Sequence, residues 1–171
     1  MTMSMTLSEY LADHHADYNL LKHKHTTNAF DTAYTAHIPM EHLAKAVVLE
    51  DTDGHHLMAV VPSMRRLKLR RINRKLGRNF RLVSEVELKA LFQDCDLGAI
   101  PAMGQAYEMD TICDEDLLNQ PYVYIEAGDH EELIKLERAE FQRLMSGQLH
   151  DYISLDSPTH SPYQDADLRH Y

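Results

Sequence analysis

The chain has 171 residues, 44% of them apolar and 26% charged, which are the proportions of one ordinary soluble domain able to bury a core without disulfides. No stretch approaches the roughly 18 apolar residues of a membrane helix. Met1-Thr2-Met3-Ser4-Met5-Thr6 lacks both the basic and the apolar part of a secretion signal, so a cytoplasmic protein is expected. The net charge of −10 argues against nucleic acid until its distribution is read. Met64 to Ser84 holds nine basic residues and no acidic one, which leaves 8 basic against 27 acidic residues, a net of −19, elsewhere.

In chain order, Leu7 and Leu11 predict a helix near 7–15, and Tyr18 to Thr26 a loosely alternating strand. Asn28 caps a short helix that stops before Pro39. Glu41 to Pro62 is the centre of the chain. Ala46-Val47-Val48-Leu49 and Leu57-Met58-Ala59-Val60-Val61 read as two buried strands joined at Asp53-Gly54, with Lys45 at the sheet edge. Leu69, Ile72 and Leu76 mark a helix closed by Gly77, whose outward arc carries the basic residues. Phe80 to Val83 is a strand, and Ser84 caps a helix running to about Phe92. Asp94 to Gly104 is a loop whose glycines let a ligand approach the main chain. A strand near 107–113, a helical turn over 114–119, strands at 122–126 and 133–136 and a helix from Glu137 to Met145 complete the domain. The expectation is a single α+β domain over 1–147, a mixed sheet flanked by helices, followed by an irregular or partly disordered extension over 148–171.

Several chemistries are disfavoured. Cys95 and Cys113 form no CxxC pair, and Asp94 and Asp96 raise the thiol pKa of Cys95, which weakens it as a nucleophile. Twelve histidines fall in no metal-binding spacing, and no phosphate loop of the GxxxxGK or GxGxxG kind occurs, so neither metal nor cofactor is expected. A lysine beside a core strand either snorkels to water or takes an anionic partner.

Four segments together carry a resemblance: Ala44 to Leu49, Val83-Ser84 leading to Leu88 and on to Cys95, Gly98-Ala99-Ile100-Pro101, and Ala127-Gly128-Asp129-His130 before Leu133-Ile134. In this order they resemble the YbaK-like family, the editing domain associated with prolyl-tRNA synthetase, over roughly Leu7 to Met145. The resemblance implies a free-standing aminoacyl-tRNA deacylase that hydrolyses the ester of a mischarged tRNA, a small amino acid on tRNA-Pro or a related tRNA. It makes Lys45 and His130 the catalytic residues and assigns substrate binding to Gly98, Ala99, Ile100, Pro101, Gly104 and Ser84. The partners are then tRNA and an aminoacyl-tRNA synthetase. Arg70, Arg71, Arg74, Lys75 and Arg78 are candidates for the tRNA backbone, because phosphate neutralisation needs clustered cations. Ala102 replaces a second proline and Ala46 a polar residue of many members, which leaves the amino-acid preference open. The alternative from another class is a non-catalytic module binding a tRNA acceptor end or a nucleotide. A third reading makes the acidic remainder a protein-interaction surface.

Overall fold

The structure is a computed structural model, and it describes residues 3–156. The elements in chain order are α1 (Met5–Asp13), β1 (Asn19–Lys22), α2 (Ala29–Ala36), β2 (Ala44–Asp51), β3 (His56–Pro62), β4 (Arg65–Leu67) and α3 (Leu69–Leu76). They continue with β5 (Phe80–Leu82), α4 (Glu85–Leu91), β6 (Asp110–Asp114), α5 (Glu115–Leu118), β7 (Tyr122–Glu126), β8 (Glu132–Glu137), α6 (Arg138–Leu144), β9 (Leu149–Asp151) and β10 (Ser154–Asp156).

The hairpin β2–β3 forms the centre of a mixed five-stranded sheet in the order β5-β2-β3-β6-β9. Asp51 closes its turn: one carboxylate oxygen accepts the N–H groups of Asp53 and His55, each at 2.9 Å, while Gly54 takes φ +83°. Strand parity then sorts the core. Val48, Met58 and Val60 meet Leu7 and Leu11 of α1 and Phe141 of α6 on one face. Val47, Leu49, Leu57, Ala59 and Val61 meet Ile72 of α3 and Phe80 on the other. β3, covered on both faces, is apolar from Leu57 to Pro62, as a central strand must be. The antiparallel sheet β1-β8-β7 stands beside it, joined to the hairpin by a parallel bridge between Leu43 and Tyr124.

The fold is the expected α+β domain with a mixed sheet, and the caps at Asn28, Ser84 and Gly77 fall where the sequence puts them. Differences arise where long-range pairing decides. β1 is shorter than the 18–26 run, and the first part of the basic segment is strand β4, not helix. Residues 149–156, expected to be irregular, form β9 against β6 and β10 against β4. Buried Asp114 holds them there, accepting the Ile153 N–H at 3.0 Å and the Ser154 hydroxyl at 2.7 Å. The rest of the expected extension, 157–171, lies outside the described residues.

Candidate active site

A cleft of about 670 Å³ opens where β2 loses its outer partner. β5 pairs only with Leu49, Glu50 and Asp51, and the Val83 N–H reaches the Val48 carbonyl at 3.1 Å, so the edge from Ala44 to Val47 borders open space. The Ser63 N–H bonds the Leu43 carbonyl, and Pro62, which has no N–H, lies opposite Ala44. Alternation along an antiparallel ladder therefore turns the N–H and C=O of Ala46 away from β3, toward the cleft. Half-buried Lys45 stands on this strand, and Ser84, Gly98, Ile100 and Glu126 contribute to the other walls.

Gly98 and His130 are built as one unit. Gly98 has φ +83°, and a Cβ on it would stand 3.1 Å from the His130 ring and 3.4 Å from the Thr27 carbonyl. His130 is itself left-handed at φ +61° and buried, with its Nε2–H donating to the Leu97 carbonyl at 2.5 Å and its ring edge-on to His25 at 5.4 Å. The ring thus props the loop that carries Gly98. Gly98→Ala is expected to lose about 1–3 kcal/mol of stability from the left-handed backbone and the crowded ring, measured by urea denaturation, and activity with it.

The sequence-predicted residues separate here. Lys45, Ser84, Gly98 and Ile100 line the cleft, and His130 backs it through Gly98. Ala99 and Pro101 are buried beside the lining without forming part of it. Gly104 is a packing glycine: a Cβ there would come within 2.4 Å of the Thr111 hydroxyl and 2.9 Å of Met58. Ser84 also spends its hydroxyl as the cap of α4, accepting the Glu87 N–H at 3.3 Å. Of the loop amides, the Ala99 N–H is bonded to Asp96 and that of Met103 to Pro101, whereas Gly98 and Ile100 carry no backbone bond among the described residues.

Glu126 is a residue that sequence reasoning placed only as the end of a strand. It is 7% exposed, it lines the cleft, and its Oε2 has no hydrogen-bond partner among the described residues. Burial, reinforced by the charge of Asp129 and opposed by the nearby Thr32 hydroxyl, pushes its carboxyl up to about 8. The available signal was an acid closing the apolar run Tyr122-Val123-Tyr124-Ile125, just before a glycine turn.

Residues 12–144 match the model of the aminoacyl-tRNA editing domain. The chain belongs to that family. Solved structures share the fold of this editing domain. The hypothetical protein APE2540 is 19% identical with a TM-score of 0.79, covering 88% of this chain and 99% of its own. A protein proposed to be a trans-editing enzyme for prolyl-tRNA synthetase is 20% identical with a TM-score of 0.75, covering 89% and 96%. A proposed signal-transduction protein of Marinobacter aquaeolei VT8 is 21% identical with a TM-score of 0.72, covering 95% of this chain and 34% of that longer one. No curated protein sequence is significantly similar to the chain.

Elsewhere in the editing domain, other candidate chemistries find their groups already engaged. Burial first, then the Asp94 charge, lifts the Cys95 thiol to about 11, which leaves it protonated at neutral pH. Among the described residues, Asp51, Asp53 and His55 bring ligand atoms within 4.8 Å of one another. Asp51 already receives Arg78 and two backbone N–H groups there. The basic run is also partly neutralised: Arg71 meets Asp151 at 2.9 Å, Lys75 meets Asp151 at 3.8 Å, and Arg78 meets Asp51. Arg70 and Arg74 are exposed on α3, with no ion pair among the described residues.

Proposed function

We propose that this editing domain is a trans-acting deacylase that hydrolyses the ester of a mischarged tRNA, a small amino acid on tRNA-Pro or a related tRNA, in the cytoplasm. The observation that carries it is that the Lys45 strand borders one largely apolar cleft together with Gly98 and Ile100, whose amides have no backbone bond among the described residues. Water attacks the ester carbonyl, negative charge develops on its oxygen, and the terminal ribose hydroxyl leaves with a proton. Donors fixed beforehand around that oxygen lower the barrier. Lys45 and the amides of Ala46, Gly98 and Ile100 are the donors assigned to it in this reading. His130 acts as a positioning residue, since its Nε2 proton is spent on Leu97. An ester needs no nucleophilic triad, and the apolar lining selects by size, where one methylene is worth only about 1–3 kcal/mol. A partner synthetase is the complementary first sieve in this reading.

A deacylation time course over a panel of mischarged tRNAs tests the proposal, the expected result being fast loss of one small aminoacyl group. Saturable tRNA binding with no hydrolysis of any ester would replace the enzyme by a binding module. Phosphate contacts fall to Arg70 and Arg74 on the same reading. Arg70→Glu with Arg74→Glu is expected to weaken tRNA binding about tenfold or more at low salt and to flatten its salt dependence by roughly two phosphates' worth. The same measurement on Arg71→Glu will mix in lost stability, because that change breaks the pair with Asp151.

A further inference from the structure

Glu126 is not used in the hydrolytic step above, and its placement calls for a ligand. β7 alternates: Val123 and Ile125 enter the main core, whereas Tyr124 packs with Leu43 and Ala33 of α2 on the opposite side. Glu126 shares that second side, and at the end of the strand it reaches the floor of the cleft. The polar groups above it are occupied, since the Thr32 and Thr26 hydroxyls lie 2.6 Å apart and the Thr32 hydroxyl also reaches the Asn28 carbonyl at 2.9 Å. One carboxyl oxygen, more than nine-tenths buried, is left without a partner among the described residues. Such a group is costly unless something completes it.

We infer that Glu126 receives the α-amino group of the bound aminoacyl ester, a reading that rests on the deacylase proposal. An aminoacyl ester that enters past Lys45 presents a carbonyl, a side chain and an amine. The amides of Gly98 and Ile100 suit the carbonyl, and the apolar wall of Ala44, Val48 and Leu88 suits a small side chain. The amine needs an anionic or acceptor group. Among the described lining residues the acids are Glu85, exposed at the rim, and Glu126 on the floor. Among the described residues, the charged and titratable groups around the site are Lys45 on β2, Glu85 on α4, Asp129 and His130 in the turn after β7, and His25 against the His130 ring. With no amine beside it Glu126 is mostly neutral at pH 7, because burial and Asp129 raise it to about 8. An arriving ammonium converts it to the carboxylate, and the proton goes to solvent.

The test uses 3′-alanylamido-3′-deoxyadenosine, whose amide resists hydrolysis, against the propionyl analogue, which lacks only the amine. Titration calorimetry between pH 6 and 8, in buffers of different ionisation heat, reads affinity and proton release together. The alanyl compound is expected to bind at least about tenfold more tightly, with affinity rising with pH and up to one proton released, and the propionyl compound to show neither effect. Glu126→Gln is expected to erase the difference by weakening the alanyl compound alone, and in turnover to raise KM more than it lowers kcat. Equal affinities in the wild type, no proton release, or a variant that keeps the discrimination would overturn the assignment. So would a fall in kcat at constant KM, which would make Glu126 a general base. If neither compound binds, the deacylase reading fails and this one with it; hydrolysis without discrimination sinks only this one. The comparison within the wild type does not depend on the variant folding.

Discussion

Lys45→Ala is expected to fold as the wild type does and to lose deacylation by on the order of a hundredfold or more, the loss measured when one preorganised donor is removed from a developing oxyanion. The expected stability change is within about 1 kcal/mol, because the side chain is half-buried at a strand edge and the core contacts of β2 are made by Val47, Val48 and Leu49. Single-turnover deacylation and thermal melts of the two proteins separate chemistry from folding. A fall in kcat with KM preserved puts the ammonium at the carbonyl. A rise in KM alone puts it on ribose or phosphate instead. Unchanged turnover would remove Lys45 from the centre of the site.

The second large effect concerns stability and pH. The Glu126 carboxyl rises from 4.5 to about 8 on folding, burial being the main cause. A raised acid favours the fold while it is protonated, so its contribution is complete below about 4.5 and is lost as pH climbs through about 8. At 1.36 kcal/mol per pKa unit, the difference across that range is on the order of 5 kcal/mol, part of which local relaxation will return. Urea denaturation from pH 5 to 9 is expected to show the wild type weakening as pH rises and Glu126→Gln nearly flat. The carboxylates of Asp51, Asp94 and Asp151, all held near 2, lose their contributions only below about pH 4 and leave this window clear. Parallel curves for the two proteins would show that the carboxyl is ionised in the fold.

These two residues also mark what could be read from the chain. Lys45 was legible because local signals agree around it: a β-branched apolar run, an Asp-Gly turn and a second apolar run, with one cation at the entry. The caps at Asn28, Ser84 and Gly77 were legible for the same reason, each depending on neighbours three or four positions away. Glu126 was not. Its unusual state comes from burial, reinforced by the charge of Asp129, at the floor of a cleft whose other walls come from β2, α4 and the 98–100 loop. The basic helix misled in the same way. Nothing near Arg71 or Lys75 in sequence announces Asp151, 80 and 76 positions on, and local composition shows nine cations where α3 keeps Arg70 and Arg74 without an ion pair among the described residues. Gly104 looked like part of a ligand loop because glycine serves both for access and for close packing. Only its position against Thr111 and Met58 tells the two uses apart.

Asp114 and Asp151 together make the segment after α6 a clasp, one carboxylate fastening the strand backbone and the other fastening α3. A fragment cut at Gly147, the natural stopping point by composition, would uncover the β6 edge, take the Ile153 and Ser154 donors from the Asp114 carboxyl and release Arg71 and Lys75 of α3 at once. Such a fragment is expected to clump during purification, and one carried through Asp156 to remain monodisperse.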